Sequence, residues 1–141
     1  ATPEQSSRRS MVKRLIVLAG ILAALALTGC ASSTSAVQTV DPQAFLATTA
    51  HDGVVVIDVR TPVEFAVGHL QNAVNINVED PAFTSQIEAL DKAATFAVYC
   101  RSGRRSAIAT DAMAAAGFTS LVNLSGGLDD LAASGASVVT Q

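Results

Sequence analysis

Tyr99-Cys100-Arg101-Ser102-Gly103-Arg104-Arg105-Ser106 places one cysteine, three arginines and a glycine in a single short stretch. The thiolate, not the thiol, is the sulfur nucleophile, and nearby cations and N–H donors favour it. Phe96 to Tyr99 reads as a strand, and Ser106 to Ala116 as an alanine-rich helix closed by Gly117. A short glycine-containing loop between a strand and a helix points successive backbone N–H groups inward, at the helix N-terminus. Cys100 is therefore the candidate catalytic nucleophile. Arg101, Ser102, Gly103, Arg104 and Arg105 are the candidate substrate-binding set, suited to a small anion because guanidinium meets oxyanions through two parallel hydrogen bonds.

A second set stands in support. Asp58 closes an apolar run and is placed to shape the pocket or to orient the Cys100 loop by accepting its N–H groups. Arg60 and Glu64 are close enough in sequence to pair across a turn, an architectural role. His69 is a candidate base for Cys100, with a turn-stabilising role as the stronger alternative, and His51 reads as a surface residue. No His, Cys and carboxylate cluster has metal-ligand spacing, so no metal and no cofactor is expected. Gly126-Gly127 lacks the further glycine or lysine of a nucleotide motif. Asn123-Leu124-Ser125 matches a glycosylation sequon by chance.

The elements that must position these residues alternate. Asp41-Pro42 is an N-cap and first helical position, with Phe45 and Leu46 as its apolar face. Val54 to Ile57 is a continuous β-branched run, as in a parallel strand buried on both faces. Thr61-Pro62-Val63-Glu64 is a capping box with proline at the first helical position, and Gly68 ends that short helix. Ala73 to Asn77 is a second strand, Phe83 to Leu90 a helix, and Leu121 to Leu124 a fourth strand after Phe96 to Tyr99. A last helix runs from Leu128 to Ala133. Strands alternating with helices predict an α/β fold: an open parallel sheet with helices on both faces. Right-handed crossovers gather the strand C-terminal ends on one edge, where ligands bind in such sheets.

The chain has 141 residues, is 50% apolar and 15% charged, and carries a net charge of −3. That length allows one ordinary domain. The acidic balance excludes a general nucleic-acid binder. The apolar content is uneven. Arg8, Arg9, Lys13 and Arg14 precede the uncharged run Leu15 to Leu27, and Thr28-Gly29-Cys30 and a serine-rich stretch follow. Basic segment, short apolar run and small residues form the layout of a secretory signal, too short to span a bilayer comfortably. Leu27-Thr28-Gly29-Cys30 resembles a bacterial lipobox. The resemblance implies cleavage before Cys30 and lipid on its sulfur, which holds a protein to a membrane. Residues 1–29 are then a signal peptide, and residues 30–40 the lipidated cysteine and a flexible tether. Residues 41–141 are the folded domain. The implied location is the bacterial cell envelope, on the outer side of the cytoplasmic membrane or in the periplasm. Without residues 1–29 the chain keeps five basic residues against eleven acidic ones, a net of −6.

Three blocks of the domain resemble the rhodanese family of sulfurtransferases. They are Asp58 to Phe65 with Gly68-His69-Leu70 and Ala73 to Ile76, then Tyr99 to Ser106, then Leu124-Ser125-Gly126-Gly127. The resemblance covers about residues 41–141 and implies a rhodanese-like sheet and a Cys100 persulfide. The sulfur would come from thiosulfate or a similar small anionic donor and go to a thiophilic acceptor, cyanide or a thiol. By that analogy Arg105 and Arg101 are the preferred donor-holding arginines. The family often carries a tryptophan where this chain has Leu131. Two alternatives stand beside this reading. One is a persulfide carrier or binding module. The other is a phosphatase or arsenate reductase on the same fold, whose loop needs an arginine six residues after the cysteine; here Arg105 comes one position early. No protein partner is named by the sequence.

Overall fold

The computed structural model describes residues 34–141. The signal segment, the lipobox with Cys30 and the first part of the tether lie outside the described residues. Five parallel strands form the main sheet in the order β1-β6-β5-β2-β4. They are β1 (Val37–Val40), β2 (Val54–Asp58), β4 (Val74–Asn75), β5 (Thr95–Tyr99) and β6 (Ser120–Leu124). Between them run helices α1 (Pro42–Thr49), α2 (Pro62–Val67), α3 (Phe83–Glu88), α4 (Arg104–Ala115) and α5 (Leu128–Ala133). A small antiparallel sheet pairs β3 (His69–Leu70) with β7 (Val138–Val139).

The sheet is covered on both faces, and strand alternation divides the core. Ile57, Phe96, Val98 and Leu121 face α3 and α4, where they meet Phe83, Ile87, Ala109 and Met113. Val56, Ala97, Tyr99 and Val122 face α1 and α5, where they meet Phe45, Leu128 and Leu131. This two-residue period is inherent to a pleated strand. It explains why the central strands are apolar throughout: both of their faces are covered.

Local chemistry starts the first two helices as the sequence predicts. Asp41 accepts from the Ala44 N–H at 2.9 Å, with Pro42 at the first helical position. Thr61 Oγ1 accepts from the Glu64 N–H at 3.3 Å, and Glu64 Oε2 accepts from the Thr61 N–H at 3.1 Å.

The structure departs from the sequence reading in three places. Residues 37–40 are not tether but strand β1, paired in register with Leu121 to Leu124. Val37 packs against one core and Val40 against the other, so no single apolar face marks the segment. Its exposed Gln38 and Thr39 belong to an edge strand. The Ala73 to Asn77 strand shrinks to Val74–Asn75, another edge. Beyond α5, Val138 and Val139 return to pair with Leu70 and His69, a contact between segments far apart in sequence.

Asn123 of the sequon is buried, and its amide donates to Thr39 Oγ1 at 3.3 Å, so the motif offers no glycan site. Leu131, at the family's tryptophan position, has no exposed surface and fills the core beside Phe45 and Tyr99. Leu131→Ala should therefore lower unfolding stability by about 2–5 kcal/mol in urea denaturation, the usual loss for a buried leucine. A loss below about 1 kcal/mol would show that α5 is not packed as described.

Candidate active site

Strand β5 delivers Cys100 to the C-terminal edge of the sheet, and the chain turns at once into α4. Gly103 opens that helix with a φ of 89°, a left-handed conformation that glycine adopts without strain. Its N–H donates to Cys100 Sγ at 3.1 Å. The thiol in turn donates to Ser106 Oγ at 3.5 Å, and Ser106 Oγ donates to the Gly103 carbonyl at 3.1 Å. A hydroxyl rotates freely, so Ser106 accepts from the thiol and can turn to donate to the thiolate.

Burial pushes the Cys100 pKa up. The Ser106 hydroxyl and the N–H groups of Ser106, Ser102 and Gly103 outweigh it and leave the thiol below its ordinary value. Cys100 itself has no exposed surface. Stabilisation of a thiolate here comes from donors that replace water at an enclosed sulfur.

The Gly126-Gly127 turn presses on that loop. A Cβ on Gly127 would overlap the Arg101 carbonyl, and one on Gly103 would crowd the Gly126 carbonyl at 3.2 Å. The Leu128 N–H donates to the Cys100 carbonyl at 3.2 Å, which ties the start of α5 to the site. These contacts give a physical reason for Gly103 and Gly127, and Gly126 has a φ of 120°.

The arginines divide. Arg105 does not stand free for a substrate, contrary to the expectation for it. Its Nη2 donates to Glu64 Oε1 at 2.7 Å, and its Nη1 donates to Glu64 Oε2 at 2.8 Å and to Glu79 Oε2 at 3.2 Å. Hydrogen bonding to Arg105 pulls the Glu64 pKa down to about 2 and raises that of Arg105. Arg101 and Arg104 are exposed and have no carboxylate within ion-pair distance among the described residues.

Arg101 borders a cleft of about 320 Å³ with Arg60, Val63, Val67, Leu128 and Asp129. Arg104 borders another of about 460 Å³ with Ser102, Arg105, Val78 and Ile108. Glu64 lines the first cleft and its partner Arg105 the second.

Asp58 and Arg60 form a buried pair, and Arg60 also lines the cleft beside Arg101. Arg60 Nη2 donates to Asp58 Oδ2 at 2.6 Å and to the Gly68 carbonyl at 2.6 Å. Asp58 also accepts from the Arg60 backbone N–H at 2.9 Å, so its oxygens serve Arg60 and not the Cys100 loop. The expected Arg60 and Glu64 pair is replaced by Arg60–Asp58 and Arg105–Glu64. Burial selects this exchange: Arg60 is enclosed two residues from an equally enclosed carboxylate, whereas Glu64 caps the outer end of α2.

His69 is buried, with Nδ1 2.8 Å from the Phe65 carbonyl and its ring stacked on Phe65. That is the turn-stabilising role. His51 is exposed.

Sequence reasoning left out Ser106 as a sulfur partner. It also left out Asn75, whose amide donates to the Asp58 and Arg60 carbonyls at 3.0 and 2.8 Å. The position of Ser106 in the first turn after the loop was an available signal; Asn75 had none. Among the described residues no cluster could hold a metal ion.

The rhodanese-like domain family matches residues 41–134. The chain belongs to that family. The rhodanese-like domain is 37% identical over 76 residues to the thiosulfate sulfurtransferase PspE of Escherichia coli, covering 54% of this chain and 72% of PspE. It is 35% identical over 81 residues to the senescence-associated protein DIN1 of Raphanus sativus, and there it spans only 44% of the relative's length. A rhodanese-related protein from Thermoplasma volcanium superposes with a TM-score of 0.65 at 25% identity, over 74% of this chain and 99% of that one. A structure described as rhodanese with anions from E. coli gives 0.52 at 31% identity, over 62% and 99%.

Ser106→Ala should raise the pH midpoint of Cys100 alkylation by iodoacetamide, because the thiolate loses a hydroxyl donor. An unmoved midpoint would show that the backbone N–H groups alone set it.

Proposed function

We propose that the rhodanese-like domain is a thiosulfate-type sulfurtransferase working through a persulfide on Cys100. The observation that carries this reading is the convergence of the Gly103 N–H and the Ser106 hydroxyl on a sulfur at a strand-to-helix junction. Such donors stabilise negative charge on sulfur before and after transfer.

In the first step the Cys100 thiolate attacks the outer sulfur of thiosulfate. A sulfur–sulfur bond forms at Cys100, the donor's own sulfur–sulfur bond breaks, and sulfite leaves with the electron pair. In the second step a nucleophilic acceptor, cyanide or a thiolate, takes the outer sulfur and returns the electron pair to Cys100. Two half-reactions through a covalent intermediate predict ping-pong kinetics. In this reading Arg101 and Arg104 are the cations left to meet the donor's oxygens, since Arg105 is engaged with Glu64. The sulfur added to Cys100 stands about 2 Å beyond Sγ, one sulfur–sulfur bond length. That extra reach is what the acceptor meets. The same engagement of Arg105 disfavours phosphate chemistry, which needs a loop arginine turned inward on the anion.

A membrane tether through lipid on Cys30 belongs to the same proposal and rests on the sequence around Leu27-Thr28-Gly29-Cys30.

Incubation with thiosulfate should add one sulfur atom to the folded protein, read by intact mass, and Cys100→Ser should add none. A wild-type mass that stays unmodified sinks the sulfurtransferase reading. A tagged fatty acid fed to cells should label the full chain and not Cys30→Ala; equal labelling of both removes the lipid anchor.

A further inference from the structure

We propose that Arg105 is a positioning residue for Cys100: it holds the first turn of α4 against α2 and so keeps the donors of that turn on the sulfur. This role rests on Cys100 being the nucleophile, as argued above, and not on any particular sulfur donor.

The first turn of α4 carries Arg104 and Arg105 and no acidic residue. Positive side chains at a helix N-terminus face the positive end of the helix dipole, an unfavourable arrangement. The missing negative charge comes from other segments. Glu64 of α2 takes both Nη atoms of Arg105, and Glu79, between β4 and α3, takes a second bond from Nη1. Glu64 is not a loose partner, because the same carboxylate accepts from the Thr61 N–H and the Thr61 hydroxyl. The anchor is itself fastened to the start of α2.

The consequence reaches Cys100 through one peptide bond. Ser106 follows Arg105 directly, and its hydroxyl lies on Cys100 Sγ. Gly103, the other donor, opens the same turn. If the Arg105 fork lets go, two adjacent cations repel each other and the helix dipole, and the turn that presents both donors is released. Glu64 stays ionised through neutral and mildly acidic pH, its pKa being held near about 2.

Two other roles for Arg105 make different forecasts. A donor-binding arginine would change the KM for thiosulfate and leave Cys100 ionisation alone. A purely through-space cation would act by its charge, whatever its contacts.

The test measures iodoacetamide alkylation of Cys100 against pH in the full chain, with thermal unfolding followed in parallel. Arg105→Lys keeps the charge but cannot span both Glu64 oxygens and Glu79. The positioning role predicts a higher alkylation midpoint and, at pH 7, a rate about five-fold lower. Glu64→Gln leaves Arg105 charged and less neutralised; positioning predicts a raised midpoint, whereas a through-space field predicts a lowered one.

A wild-type midpoint in Arg105→Lys overturns the proposal, as does an unchanged or lowered midpoint in Glu64→Gln. If Arg105→Lys does not fold, the Glu64→Gln midpoint decides. Alkylation needs no sulfur donor. A raised midpoint in both variants, together with no sulfur uptake from thiosulfate by the wild-type protein, would therefore reject the sulfurtransferase reading and keep the positioning role.

Discussion

A sulfur shielded from water carries negative charge only where N–H and O–H groups replace the lost hydration, and Cys100 has no exposed surface. Much of the domain is arranged around that constraint. The parallel sheet brings Cys100 to the edge where strands end and helices begin. Gly103 then bends the chain through a left-handed conformation that aims its own N–H at Sγ, 3.1 Å away. The same first turn of α4 supplies the Ser106 hydroxyl. Gly126-Gly127 lies so close to the loop that a side chain at Gly127 would collide with the Arg101 carbonyl.

Charge around the site is arranged in the same economy of space. The arginine-rich loop of an acidic chain reads as a concentrated positive spot. In the fold one of its three arginines is neutralised, and so is the neighbouring Arg60. Arg60 is closed on Asp58, and Arg105 is closed on Glu64 and Glu79. Arg101 and Arg104 remain exposed, each beside its own cleft. The free positive charge of the loop is therefore that of two exposed cations rather than of every arginine present. The enclosed Arg60–Asp58 pair and the Asn75 amide hold the end of β2 in place, next to the strand that bears Cys100.

Much of the fold was legible because its signals are local. Val54 to Ile57 and Phe96 to Tyr99 are apolar throughout because both of their faces are covered. Thr61-Pro62-Val63-Glu64 starts a helix because cap and acceptor lie three residues apart. The segments that went unread lack such signals. Strand β1 gives one valine to each core and two polar residues to solvent, so no periodicity marks it. Strands β3 and β7 are two residues each, and pairing stabilises them only when the chain end returns to His69 and Leu70. At the site, Cys100, Gly103 and the glycine pair could be read directly. The choice among the arginines could not, because guanidiniums in one short loop look alike until their carboxylates are placed.

The residues alone predict the alternation of strands and helices, the sheet edge where strands end and helices begin, and the strand-to-helix junction that holds Cys100. Those features depend on residues within a few positions of one another: β-branched runs, caps and a glycine after a strand. Which charges meet depends on how the segments fold together. Glu64 and Arg105 are 41 positions apart, whereas Arg60 lies within a few positions of both Glu64 and Asp58. Burial settled it, enclosing Arg60 with Asp58 and leaving Glu64 at the outer end of α2, where it faces the helix that follows Cys100. Ion pairing is a matter of distance and desolvation in space, which no spacing along the chain encodes.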